Sequence, residues 1–482
     1  MRKKQTIYTA DFVYVGKTHK EKYSVAVEDG IILESGKREV IKEQFPYAKE
    51  VRFRDAAIYP GFIDSHLHLN KIALTLTKIN AEQIESFDAL IKKINEDKYP
   101  ISSVYNLDFN KISKSQWKTL FELKKPLFIQ STDEHSVFVN KALIKEKNIE
   151  IKETNGEEIV KEKGQFIGIL KDNAIKNVEF LLHEVAGADA LEKAENLLLQ
   201  NGIVAATNFD YNLFDVLKSR ESRVRIFQGI RCDKIDEAVE NKLKTGSGND
   251  YFRIGPVKCF LDGSLGSQTA LMEEGIMKGL LTMPEEEFYR IVEKANKNNL
   301  QIAVHAIGSR AVHIALKAFK NSGITSMRNR IEHFQFLSEK DLPLMKETDF
   351  IASMQPVHFS DDKELLEKYI GKYKYAYPWK KVIQSGKVLS FGSDAPVASL
   401  SVIKGIETAV KRKEGGIKPD DAIIAYTEGS ARANFYEKKG GRIVRGLNAD
   451  FTVLNKKLSE EEDFNNIRVI ATIVGGEMVW TA

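Results

Sequence analysis

Residues 57–68 read AIYPGFIDSHLH. The run is apolar up to Asp64, as a strand buried on both faces would be, and it ends in His66-Leu67-His68. In extended backbone, residues two apart point to the same side, so both imidazoles can reach one ion. After AIYPGFID (57–64), seven runs of the same kind follow: GIVAATNF (202–209), RVRIFQGI (223–230), GPVKCFLD (255–262), LQIAVHAI (300–307), NRIEHFQF (329–336), DFIASMQP (349–356) and KVLSFGSD (387–394). From the second run onward, stretches able to form helices lie between them, such as PEEEFYRIVEKANKN (284–298) and SRAVHIALKAFKNSG (309–323). Eight strands with intervening helices predict an α/β fold, a (β/α)8 TIM barrel over 58–437 with its site at the C-terminal ends of the strands.

The first crossover breaks this rhythm. It spans about 130 residues, too long for a structureless loop, and carries strand-like runs of its own, SSVYNLDF and PLFIQST. It reads as a subdomain inserted after the first barrel strand, at about 70–185, reaching over the barrel mouth. The chain ends differ from the middle. TIYTADFVYVG, YSVAVEDGIILESG and EVRFRDAAIYP near the start, and GGRIVRGLNADFTVLN and IRVIATIVGGEMVW near the finish, alternate like short strands joined by turns. Neither end is long enough for a stable domain. Together, 1–57 and 438–482 supply roughly seven strands for one small β-sandwich.

Composition excludes several classes. With 43% hydrophobic and 29% charged residues, the chain is neither disordered nor fibrous. The formal charge is only +4 and the basic residues are interspersed with acids, so no basic stripe points to nucleic acid or an anionic membrane. No apolar run is long enough for a transmembrane helix. The basic opening MRKK is followed by alternation rather than the apolar stretch of a signal peptide. Two cysteines, Cys232 and Cys259, are too few for a disulfide framework and fit a reducing compartment. A cytoplasmic location is expected.

The strand ends concentrate reactive side chains. Besides His66 and His68, Lys258 lies in strand four, His305 ends strand five, His333 ends strand six and Asp394 ends strand eight. Imidazole and carboxylate suit zinc and similar ions, and a catalytic site keeps one position open for water or substrate. Taken singly, each has a plainer reading. A histidine at a strand end can be a hydrogen-bonded rim residue, Asp394 can cap the next helix, and Lys258 can point its amine outward or pair with Asp262. Their coincidence at five strand ends favours a metal centre. Gln355 and His358 end strand seven and face the same mouth; Asp133 and His135 lie in the insertion, as substrate contacts or a local loop pair. Arg330 and Glu332 share strand parity and read as a helix-facing salt bridge. His19, His183 and His313 read as structural.

PGFIDSHLHLN, VKCFLDGSLGSQTAL, VHAIGSRAV, RIEHFQ, QPVH and FGSDAPV resemble, in order, the motifs of the amidohydrolase superfamily. More narrowly, the chain resembles its amidohydrolase-3, or YtcJ-like, branch, which includes N-substituted formamide deformylases. The resemblance covers nearly the whole chain, including the closing GLNADFTVLN. It implies that His66 and His68 bind the more buried of two divalent cations, zinc first among the candidates. Lys258, carboxylated by CO2 to a carbamate, would bridge the two cations, and His305 and His333 would bind the second. Asp394 would bind a metal and handle the catalytic proton. Asp262, beside the Gly263 turn, would orient a ligand or substrate, joining Asp133, His135, Gln355 and His358 as the substrate-binding set. Ser309, Gln268 and Lys374, and Asp133-Glu134-His135 in place of a DGH motif, depart from the branch pattern; none touches the metal set, and all bear on substrate choice.

The function expected is hydrolysis of a C–N, amide-type bond of a small molecule by a metal-activated hydroxide. Ester or phosphoester cleavage at the same binuclear site is the sister chemistry, and a non-catalytic barrel used for assembly is the reading from another class. The expected partner is a small-molecule amide, with no nucleic acid and no membrane; a homo-oligomer is compatible with this reading.

Overall fold

The stretch that reads as one strand in the sequence is two strands in the computed structural model, which describes residues 5–131, 136–152, 159–182, 185–273, 276, 279–459 and 463–482. Ala57–Pro60 pairs antiparallel with Phe451–Leu454, whereas Phe62–Leu67 pairs parallel with Ile203–Asn208. Gly61 is the joint. Its amide donates to the Asp450 carbonyl at 2.8 Å, and a Cβ there would stand 2.4 Å from Val204, so no larger residue fits without displacing the second barrel strand.

The barrel contains the eight expected parallel strands in sequence order: Phe62–Leu67, Ile203–Asn208, Arg225–Arg231, Phe252–Phe260, Ile302–Ala306, Arg330–His333, Ile351–Met354 and Val388–Phe391. The last meets the first through backbone bonds near their C-terminal ends. Asp394 N donates to His66 O at 2.6 Å and His68 N to Ala395 O at 2.9 Å. The strands are apolar on both faces because helices cover one side and barrel-filling side chains the other. In the helix Glu285–Lys297, Phe288, Val292 and Ala295 form the buried stripe. Its first turn carries Glu285, Glu286 and Glu287 and its last Lys294 and Lys297, which suits the helix dipole.

Both chain ends meet in one continuous sheet of eight strands, one more than the sequence suggests. Its order is Glu477–Thr481, Val469–Val474, Phe451–Leu454, Ala57–Pro60, Gln5–Val15, Thr18–Glu28 and Ile31–Lys37, with Lys49–Arg52 also on Gln5–Val15. Val13, Val25 and Ile58 from the start share a core with Phe451, Val453 and Ile473 from the finish. Each end alone would leave that apolar face in water, which is why neither makes a domain by itself.

Backbone contacts divide the chain into Met1–Leu69 with Glu195–Ala482, and Asn70–Ala194. The second unit holds a six-stranded sheet that includes Ser102–Leu107 and Leu127–Ser131, the two strand-like runs of the long crossover. Leu120, Leu127, Ile129 and Phe138 are at its core. Asp133, His135 and His183 lie outside the described residues. His19 lies in a strand and bonds the Tyr59 hydroxyl at 2.7 Å, and His313 bonds Asp341 at 2.7 Å; both are structural.

Cys232 and Cys259 are joined in a disulfide, with Cα atoms 5.1 Å apart. It links the ends of neighbouring barrel strands, so the low cysteine count carries no argument for a reducing compartment. No helix among the described residues is long and apolar enough to cross a membrane.

Candidate metal centre

His66 and His68 both turn into the barrel mouth, as the two-residue spacing requires, and each is fixed by a carboxylate behind it. His66 Nδ1 donates to Glu332 at 2.7 Å, and His68 Nδ1 donates to Asp210 at 3.0 Å. With both Nδ1 atoms used, both Nε2 atoms face one oxygen of Asp394, at 3.3 and 3.2 Å. A carboxylate behind an imidazole is the usual device for orienting a ligating histidine. His66, His68 and Asp394 each offer one donor atom within 4.8 Å of the others, and His333, His358 and Asp394 do the same. The remaining histidine, His305, lies against His333, with ring centroids 4.4 Å apart.

The backbone is bent to achieve this. His333 has φ of 72° and Asp394 has φ of 60°, both in the left-handed region that non-glycine residues seldom adopt. Such strain is typical of sites where the surroundings over-determine the conformation. At His333 the bend also breaks strand alternation. Glu332 and His333, neighbours that would ordinarily face opposite sides, both point inward.

That bend corrects one expectation. Arg330 and Glu332 do form a salt bridge, at 2.7 Å, but inside the barrel rather than toward a helix. Arg330 also donates to the Ser65 carbonyl at 2.5 Å and to Ser353 at 3.1 Å. Glu332 is thus divided between Arg330 and His66. Burial raises a carboxyl pKa, but Arg330 and His66 outweigh it and hold Glu332 at about 2.

Burial and mutual repulsion keep most of the imidazoles neutral, the state that ligates metal. Burial, reinforced by the Lys258 charge, draws His66 down to about 4 and His305 down to about 3. His333 is lowered well below the usual histidine value, again chiefly by burial. His68 goes the other way: burial lowers it, but Asp210 and Asp394 outweigh burial and raise it. For Asp394 burial raises the pKa, yet the surrounding His66, His68, His333 and His358 win and hold it well below the usual carboxylate range.

Lys258 is 2% exposed. Its amine lies over the rings of Phe209 and Phe260, at 4.6 and 5.2 Å, and among the described residues no acid pairs with it. Burial lowers it to about 8 against the opposing pull of Glu332 and Asp394. The pairing with Asp262 is not formed. The Asp262 oxygens instead accept the backbone amides of Leu271, Ile307 and Gly308 at 2.9, 3.0 and 2.7 Å. Asp262 is buried and pins the ends of strands four and five. Gln355 is buried, and among the described residues its amide oxygen has no partner. His358 stands in the short helix Pro356–Asp361, its Nε2 3.7 Å from Asp394. The supporting acid Asp210 was not singled out from the sequence, although it follows the end of strand two, where an acid could have drawn notice.

The donors fit a divalent cation. They are imidazole nitrogens and a carboxylate, converging and mostly buried, and among the described residues buried nitrogens of His333 and His358 have no hydrogen-bond partner. Lys258 also lines a cavity of about 690 Å³, together with Tyr211, Arg231, Phe260, Glu287 and Lys294; the imidazoles and Asp394 are not part of its wall.

The chain is similar over its length to known proteins. A Bacillus subtilis protein named as an amidohydrolase, YtcJ, is 27% identical, covering 95% of this chain and 96% of its own. An N-substituted formamide deformylase of Arthrobacter pascens is 22% identical, covering 89% and 90%. The crystal structure of an uncharacterized metal-dependent hydrolase from Pyrococcus horikoshii shares the fold at a TM-score of 0.81 and 23% identity, covering 95% of this chain and 99% of that one. The sequence profile of the amidohydrolase family matches residues 54–480. From the first barrel strand to the closing strands of the terminal sheet, the chain belongs to the amidohydrolase family.

Proposed function

We propose that this member of the family is a metal-dependent hydrolase that cleaves an amide-type C–N bond, other than a peptide bond, of a small molecule. The observation that carries the reading is the convergence of His66 and His68 Nε2 on Asp394, with Glu332 and Asp210 behind the two rings. His66, His68 and Asp394 would hold one divalent cation, and His305 and His333 a second. Lys258, as a carbamate formed with CO2, would be shared between them. Imidazole and carboxylate donors suit zinc. A bound cation of this kind polarises a carbonyl and lowers the pKa of water from ~15.7 toward ~7.

The chain's own residues supply the rest. Glu332 and Asp210 keep the ring protons on Nδ1 and the lone pairs on Nε2. Asp394, ionised at neutral pH, takes up the proton of the attacking water and returns it to the departing amine. The apolar wall of Phe209 and Phe260 around Lys258 favours its neutral amine, the form that reacts with CO2.

The test has two parts. Elemental analysis of protein made with zinc and CO2 present should find close to two metals per chain. A matched screen of N-formyl, N-acyl and cyclic amides against the corresponding esters should find turnover concentrated in the amides. A fully active preparation without metal would overturn the reading, and preferential ester turnover would replace amide hydrolysis with its sister chemistry.

A further inference from the structure

We infer that His358 is a cation donor of the second site, acting with His333 and Asp394, rather than a contact for substrate. The inference rests on the reading above that the barrel mouth binds divalent cations. It goes beyond it by assigning a ligand outside the set that the family resemblance supplies.

The two oxygens of Asp394 face two different groups. Oδ1 faces the His66 and His68 Nε2 atoms, and Oδ2 faces His358 Nε2 at 3.7 Å. That last distance is too long for a hydrogen bond. His358 Nε2 is nonetheless buried and, among the described residues, has no hydrogen-bond partner, and neither has the buried Nδ1 of His333. The two rings lie nearly parallel, at 8°, with centroids 5.9 Å apart. One donor atom each from His333, His358 and Asp394 falls within 4.8 Å of the others. Buried ring nitrogens left unpaired are costly. One nitrogen from each ring and a carboxylate oxygen form a three-donor group of the type that binds zinc, cobalt or manganese with a position left open.

The local fold holds His358 there. It follows strand seven, Ile351–Met354, in a short helix with Pro356 in its first turn. Its amide donates to Gln355 O at 3.2 Å, and its carbonyl accepts from Asp362 at 2.7 Å. His305 is differently engaged. Its Nε2 lies 3.1 Å from the Gly263 carbonyl, which can only accept, so that nitrogen carries a proton and only Nδ1 is left to ligate.

Cobalt(II) titration of the metal-depleted full-length protein tests this, read by bound stoichiometry and by the visible spectrum of the bound ion. Wild type should bind a first and a second equivalent. His358→Ala should keep the first and bind the second at least about tenfold more weakly, the lower bound for disturbing a ligand's surroundings, with an altered spectrum. Ser360→Ala, on the same helix, should match wild type. If His358→Ala melts earlier than wild type in the metal-free state, His358→Gln is read in its place. Wild-type affinity and spectrum for both equivalents in the His358 variant would overturn the inference while leaving the metal centre standing. Failure of the wild type to bind cobalt at all would remove the metal-centre reading and the inference together.

Discussion

Glu332 accepts the Nδ1 proton of His66 at 2.7 Å while its other oxygen holds the Arg330 guanidinium at 2.7 Å, and both acid and guanidinium are fully buried. One carboxylate therefore orients a candidate ligand and neutralises a cation in the barrel core. Glu332→Gln should leave Arg330 uncompensated and cost about 3–5 kcal/mol, the usual penalty for breaking a buried ion pair. It should also weaken metal retention by releasing the His66 ring. Melting temperature and metal content, measured on the same preparation, check both. The acid's pKa in the fold is about 2, below its ordinary value of 4.5. Its contribution is thus fully present above about pH 4.5 and is lost as pH falls through 2. Between pH 5 and 8 the wild-type minus variant difference should stay flat.

Asp394→Asn should fold normally and lose most turnover. The amide can still offer an oxygen to a cation, but it cannot accept a proton at neutral pH. Positioned acid–base catalysis contributes about 10²–10⁴ in rate, and kcat on the best amide should fall within that range. A kcat near that of wild type would move the proton to another residue.

Lys258→Ala should abolish most activity, and a short carboxylic acid should restore part of it. The lysine is buried, has no acid partner among the described residues, and is drawn down to about 8 chiefly by burial. Its uncharged amine can therefore form a carbamate, an anion with two oxygens. Acetate or propionate offers the same two oxygens in the vacated space. The measurement is kcat of the variant against acid concentration; the absence of any rise would argue against a carboxylated lysine.

With CO2 excluded, so that Lys258 stays unmodified, metal affinity should rise with pH through the neutral range, with about one proton released on binding. His68 is the source, since Asp210 and Asp394 hold its pKa above the usual 6.5, whereas His66 and His305, at about 4 and about 3, are already neutral there. Proton release in weakly buffered solution at pH 6–7 measures it. His68→Ala should bind metal more weakly and release less.

The barrel strands and most candidate ligands were legible in the sequence because their signals are local. A buried parallel strand is a continuous apolar run, and a candidate ligand is a metal-binding side chain at or near its C-terminal end. His66, His68, His305, His333 and Asp394 follow that rule, and the eight runs became eight adjacent strands. Tertiary structure decided what alternation cannot. Parity says that Arg330 and Glu332 share a face but not which face is inside, and the left-handed turn at His333 put two neighbouring residues on one side. The break at Gly61 depends on Val204, which lies more than a hundred residues away in the chain. Asp262 was drawn to three backbone amides rather than to Lys258. Cys232 found Cys259 because their strands are neighbours. His358 met Asp394 only when strands seven and eight had paired and the barrel had closed. In these cases the deciding contact lies across the closed barrel or between its strands and loops, and the apolar runs and strand parity carry no information about it.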